Sequence, residues 1–213
     1  MFVKTRMTAN PYTVTPQTRL PEAVELMEDK HVRHLPVVED GRVVGVLAPS
    51  DIAAASPSQA TTFSAGEITY LLAKLRVAKV MTRDPITISS DALLEEAAVL
   101  MRDNKIEMLP VVDDGTLVGV ITESAILDAF IEVLGFRDPG TRFTIQAPDA
   151  PGVLSRLGAI AAKHGANIMH LAVYRGDGQH STVLLGVNSR NTQQLEADAA
   201  AEGFEVLARL END

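Results

Sequence analysis

The segment from Arg33 to Leu47 occurs a second time, from Glu107 to Ile121, and this duplication constrains the fold more than anything else in the chain. Each copy reads as an apolar run, an Asp-Gly pair and a second apolar run: Leu35-Pro36-Val37-Val38 with Val43-Val44-Gly45-Val46-Leu47, and Leu109-Pro110-Val111-Val112 with Leu117-Val118-Gly119-Val120-Ile121. Asp40-Gly41 and Asp114-Gly115 suit two-residue hairpin turns, because such turns need positive φ. So short a link makes the joined strands antiparallel. A step of 74 residues carries Met7 to Met81, Pro11 to Pro85, Met27 to Met101, Pro36 to Pro110, Gly41 to Gly115 and Gly45 to Gly119. The match runs without a gap from Val3/Val77 to Ile52/Ile126, which marks a duplicated structural unit.

Each unit opens on Met-Thr and Pro and continues into a β-branched segment, Thr13-Val14-Thr15 or Ile86-Thr87-Ile88. A helix follows. Ala23, Leu26, Met27 and Lys30 fall at helical spacing in the first unit, and Leu94, Ala97, Ala98 and Met101 in the second. Thr18 and Asp91 are the expected caps. After the hairpin a polar step, Ala48-Pro49-Ser50-Asp51 or Thr122-Glu123-Ser124-Ala125, leads to a second helix. Each unit is therefore strand–helix–strand–strand–helix. Between the units Ser56-Pro57-Ser58 breaks structure, and Leu71, Leu72 and Leu75 predict a helix entering the second.

Helix 126–134 is expected to stop at Gly135, with Asp138-Pro139-Gly140 opening a different domain. The remainder predicts a strand over 142–147, a helix over 152–164, a strand over 167–174, a hairpin over 175–180, a strand over 181–188, a helix over 192–202 and a strand over 204–210. That order, β-α-β-β-α-β, is the ferredoxin-like pattern. The expected fold class is α/β (α+β), with domains at 1–62, at 63–137 including the preceding linker helix, and at 138–213.

Composition excludes several functions. Hydrophobic residues make up 46% and charged residues 22%, which is globular usage over a length of 213 residues. A net charge of −9 disfavours nucleic acid and anionic membrane as main partners. With no Cys there are no disulfides, thiolate metal sites or Cys nucleophiles. The residues from Met1 to Arg6 lack the apolar core of a signal peptide, and no apolar run approaches the ~20 residues needed to span a bilayer. These features predict a cytoplasmic protein.

The repeated Met-Thr…Pro…Leu-Pro-Val-Val…Asp-Gly…Val-Gly-Val segments resemble a tandem pair of CBS domains, the Bateman module, over about residues 3–134. Asp149-Ala150-Pro151-Gly152-Val153-Leu154, with Ile160 and Gly165-Ala166-Asn167-Ile168, resembles an ACT domain. The combination is similar to AcuB-like acetoin-utilisation proteins, a likeness to which Arg33–Val38, Ala55-Ser56-Pro57-Ser58 and Pro139-Gly140 contribute.

The CBS resemblance implies an adenine nucleotide (AMP, ADP, ATP or a related adenosyl ligand) as effector and no catalytic cofactor. In that family a Gly-h-h-Thr/Ser-x-x-Asp/Asn signature, where h is apolar, supplies a carboxylate to both ribose hydroxyls and a hydroxyl and helix amides to phosphate. Here Gly45–Asp51 keeps the acid, Asp51, but has Ala48 at the hydroxyl position. Gly119–Ala125 keeps Thr122 but has Ala125 at the acid position. Arg33 and His34 stand where cationic phosphate contacts occur, whereas their equivalents are Glu107 and Met108. The expected nucleotide site is the cleft using Asp51, Arg33 and His34, with Val14, Pro36, Gly45, Thr122 and Gly119 completing the candidates. Plain capping also accounts for Asp51 and Thr122, and a solvated loop for Arg33 and His34.

The ACT resemblance implies a ligand carboxylate at the turn before the first helix, across a dimer interface. Gly152 would let the backbone approach, Val153 beside it is a further candidate, and Asp149 and Asn167 would meet an ammonium group. The alternative is that Pro151-Gly152 starts the helix and Asp149 caps it.

His31 and His34 lack a third ligand for a metal. His164, His170 and His180 are scattered and read as surface or half-buried residues, and Met7, Met27, Met81, Met101 and Met108 as core. No nucleophile elbow, phosphate-binding loop or dinucleotide fingerprint occurs. Three functions stay open: a non-catalytic homodimeric sensor that relays a small-molecule signal to a protein partner, with a link to acetoin or carbon metabolism; a ligand-free dimerisation and docking scaffold; and, ranked last, a small enzyme.

Overall fold

The computed structural model describes residues 1–55, 74–176 and 178–213. They form two compact units, Met1–Ile126 and Leu127–Asp213.

In the first unit, α1 (Leu20–Asp29) and α2 (Pro49–Ala55) flank the hairpin of β2 (Leu35–Glu39) and β3 (Arg42–Leu47). The second repeat matches with α3 (Leu94–Asn104), β5 (Met108–Asp113), β6 (Thr116–Thr122) and α4 (Glu123–Val133), the last running past the division between units. The hairpin turns are as the sequence predicts: φ is +49° at Asp40 and Asp114 and +79° at Gly41 and Gly115. Both registers carry a bulge at the same place, between Val37 and Val38 in one and Val111 and Val112 in the other. The buried faces of α1 (Leu20, Ala23, Met27) and α3 (Leu94, Ala97, Met101) follow the apolar spacing.

The capping residues differ from expectation. Arg19 and Leu93 precede the two helices. Thr18 instead accepts the Thr15 N–H through its hydroxyl at 3.0 Å, and Asp91 pairs with Lys4 at 2.6 Å. The helices start one to two residues later than a Thr18 or Asp91 cap would set. The β-branched segments also pair less than expected, through single parallel bridges, Val14 to Val37 and Ile88 to Val111.

The openings of the two repeats are exchanged. Strand β1 (Thr8–Ala9) pairs with β6, and β4 (Thr82–Arg83) pairs with β3, so each hairpin receives its third strand from the other repeat. The 3₁₀ turn Val3–Thr5 is bound by Ala92 and Ser90 carbonyls, and the turn Val77–Lys79 by Thr18 and Pro16 carbonyls. Val3 and Val77 are fully buried by this exchange. Gly45 and Gly119 follow from it too: a Cβ on Gly45 would lie 2.6 Å from Met81 Sδ, and one on Gly119 2.7 Å from Met7 Sδ. The break at 56–58 and the helix drawn from Leu71 and Leu72 lie outside the described residues.

The second unit holds β7 (Gly140–Pro148), α5 (Val153–Lys163), β8 (Ile168–Arg175), β9 (His180–Val187), α6 (Gln193–Ala201) and β10 (Glu205–Asn212). The sheet is antiparallel in the order β10-β7-β9-β8, the ferredoxin-like arrangement. Alternate residues Phe143, Ile145, Ala147 and Val183, Leu185, Val187 pack with Leu157, Ile160 and Ala161 of α5, and with Leu195 and Ala199 of α6. His164 and His170 are each held by a carboxylate, Asp198 at 2.8 Å and Asp138 at 2.6 Å.

Candidate functional site

The loop between α1 and β2 presents His31, Val32, Arg33 and His34 to one side of a cleft of about 500 Å³. Thr8 to Tyr12, delivered by the exchanged opening, form a second wall. Glu107 and Met108 at the start of β5, with Val120, Thr122 and Ser124, complete it. Three candidates from different repeats thus converge: Arg33, His34 and Thr122. The Thr122 hydroxyl accepts the Ala125 N–H at 3.3 Å, so it caps α4 at the edge of the cleft and can still donate to a ligand.

Electrostatically the cleft is balanced. Glu107 Oε2 lies 3.9 Å from Arg33 Nη2 and 3.8 Å from His34 Nε2. The His34 side chain is only 11% exposed, and burial holds its imidazole below the usual value. Glu107 opposes that shift, Arg33 adds to it, and Asp51 opposes it. Lys30 stands with its ammonium 5.6 Å from the Tyr12 ring centroid.

Asp51 does not line this cleft. Its carboxylate accepts the Ala48 N–H at 2.8 Å and the Thr82 hydroxyl at 3.2 Å, so both oxygens are engaged at the start of α2 beside β4. The exchange is the reason: β4 lies against β3 next to Asp51, while β1 lies against β6 next to Thr122. Asp51 therefore stands outside this cleft, yet near enough to His34 for its charge to act on the imidazole. Val14 and Pro36 are buried in the sheet, where the Val14 N–H donates to the Pro36 carbonyl at 3.1 Å. Gly45 and Gly119 sit under the crossing methionines. None of these four lines the cleft. The lining residues that sequence reasoning left out include Tyr12, Glu107 and Met108, and the last two were visible only as the partners of Arg33 and His34 at the 74-residue step.

In the second unit another cleft of about 500 Å³ lies at the start of α5. Asp149, Gly152 and Val153 line it as expected, together with Ser155, Val173, Arg175 and Ser181. Gly152 has φ +89°, a conformation that favours glycine, and a Cβ there would meet nothing within 4 Å. Asn167 lies elsewhere, with its backbone N–H on Asn188 Oδ1 at 2.8 Å and its side chain toward Met169. Arg175 supplies a guanidinium that the sequence reading passed over, because a strand-end Arg before a loop has no distinguishing pattern.

Among the described residues no three His, Asp or Glu side chains converge as a metal site would need, and no helix is long and apolar enough to cross a membrane.

Comparison with known proteins agrees with this geometry. The CBS domain model matches residues 3–58 and again 77–132, more than half of the chain. A solved protein ascribed to acetoin utilisation (AcuB) from Vibrio cholerae superposes with a TM-score of 0.53 at 30% identity, covering 65% of this chain and 96% of its own. CBSX2 from Arabidopsis thaliana, solved in complex with AMP, gives 0.53 at 31% identity over 62% of this chain and 97% of its own. The CBS domain pair of protein MJ0100, solved with 5′-methylthioadenosine and S-adenosyl-L-methionine, gives 0.51 at 28% identity over 61% and 99%. With two matched domains, reciprocally exchanged strands and a cleft between the repeats, the chain belongs to the CBS-domain family as a tandem pair.

Proposed function

We propose that the protein is a non-catalytic regulatory sensor whose CBS pair binds an adenosine-type ligand. The observation that carries this reading is the cleft at which Arg33, His34 and the α4 cap Thr122 meet. Solved relatives of this pair hold AMP, or 5′-methylthioadenosine with S-adenosylmethionine. An adenosyl compound fits the mixed wall of Tyr12, Val32 and Met108 beside hydroxyl and cationic groups. The cleft at the start of α5 supports an ACT-like second sensor: Arg175 and the helix amides suit a carboxylate, and Asp149 an ammonium, as an amino acid requires. Within this proposal the domains are 1–62, 63–137 and 138–213, the protein is a cytoplasmic homodimer, and the signal passes to a protein partner in acetoin or carbon metabolism by favouring one arrangement over another.

Thermal unfolding of the full chain with AMP, ADP, ATP, S-adenosylmethionine and free amino acids, each separately, tests it. A ligand at 100 times its dissociation constant adds roughly 2.7 kcal/mol to the state it binds. A raised midpoint with an adenosyl ligand supports the CBS sensor, and one with an amino acid the second site. A second reading, a ligand-free docking scaffold, is favoured by Asp51, whose carboxylate is already engaged by Ala48 and Thr82. No shift with any compound makes the scaffold the better account.

A further inference from the structure

The reciprocal exchange brings equivalent positions of the two repeats to face each other, and at one pair the duplication has diverged in charge. Arg33 of the first repeat corresponds to Glu107 of the second, and His34 to Met108. All four line one cleft. A single carboxylate oxygen of Glu107 is shared by the Arg33 guanidinium at 3.9 Å and the His34 imidazole at 3.8 Å. Among the described lining residues Arg33 is the one permanent cation and Glu107 the one carboxylate, and Lys30 stands over the Tyr12 ring rather than in the lining.

We propose that Glu107 sets the charge class of the ligand, so that the cleft takes an adenosyl compound without a phosphate in preference to a nucleoside phosphate. This rests on the reading of the cleft as an adenosyl site. A phosphate monoester brings about −1.5 to −2 charges at neutral pH. It would meet one guanidinium already offset by Glu107 and an imidazole that burial keeps toward its neutral form, with Asp51 adding negative potential at His34. Like charge placed against a partly desolvated carboxylate is unfavourable, and it is the usual means by which a site rejects a competing ligand. An uncharged 5′ substituent meets no such opposition. Met108, buried at the position that corresponds to His34, offers it a soft apolar contact.

The test is calorimetric titration of the full chain with 5′-methylthioadenosine and with AMP, a pair that differs only at the 5′ position. The wild type should bind methylthioadenosine at least about tenfold more tightly. Glu107→Gln should raise AMP affinity about tenfold and leave methylthioadenosine within about twofold. Glu107 is half exposed, so this variant should fold, which its unfolding midpoint checks. Arg33→Gln should weaken AMP further while methylthioadenosine is retained. Equal or tighter binding of AMP by the wild type, or an unchanged AMP affinity in Glu107→Gln, overturns the assignment of Glu107 and leaves the adenosyl site standing. Binding of neither compound by wild type or variant overturns the adenosyl site and this inference together.

Discussion

At the scale of single residues, His34 is the histidine whose proton affinity the fold lowers. Burial lowers its pKa from the ordinary value of about 6.5, with Glu107 the main opposing influence. The unfolded chain therefore takes up the proton first as pH falls. The stability His34 contributes is fully present above about 6.5 and is lost as pH falls from there toward the depressed folded value. Denaturant unfolding of the full chain between pH 7.5 and 5 should accordingly show a shallower loss of stability in His34→Gln than in wild type. Equal slopes would place the imidazole in a solvated environment. The sequence made His34 a candidate through its place before the hairpin, but its opposition to Glu107 needed the fold. Asp51 shows the converse. The motif marked it as the ribose acid, but it lies in the first turn of α2, held by Ala48 of a local turn and Thr82 of the exchanged strand β4, and no pattern along the chain specifies that strand.

At the scale of elements, periodicity carried most of the reading. Of the residues that the 3.6-residue spacing selects, α1 buries Ala23 and Met27 and α3 buries Leu94, Ala97 and Met101, whereas Leu26 and Ala98 are half-buried and Lys30 is exposed; the Asp-Gly turns set both hairpins. The six elements of the second unit fall within a few residues of their expected places. What periodicity could not give is the exchange of β1 and β4, two-residue strands whose partners lie a repeat away. Their pairing depends on buried anchors at long range, and Val3 is one of them: it lies in the first repeat by sequence, but its backbone N–H donates to the Ala92 carbonyl of the second. Val3→Ala should therefore destabilise the first unit by roughly 1–3 kcal/mol, the scale for truncating a buried aliphatic side chain. Val99→Ala, on the exposed face of α3, should stay within about 0.5 kcal/mol. Chemical denaturation of the two variants checks the contrast, and a harmless Val3→Ala would mean that the opening segment is not anchored on the second repeat.

At the scale of the whole molecule, the chain combines two folds with separate cores. One core within the first unit centres on Val14, Leu35, Val37, Leu47 and Val77, and that of the second unit on Phe143, Ile145, Leu185 and Phe204. Each unit carries a cleft of similar volume at the start of a helix, α4 in the first and α5 in the second. The sequence named Asp149, Gly152 and Val153 of the second cleft, which fall in one short stretch, but not Val173, Arg175 or Ser181 from the strands. It located the first only in part, because that cleft is assembled from four stretches of both repeats. The central claim is that this assembled cleft is a ligand site, and it is tested most directly by equilibrium binding of a fluorescent adenosine analogue to wild type and to Ala9→Trp. Ala9 is an exposed lining residue of β1, so a large side chain there should fill the cleft while the fold persists. The account predicts saturable binding by wild type and a loss of at least about tenfold in Ala9→Trp, with the unfolding midpoint little changed. Binding of equal strength in the two proteins would contradict it.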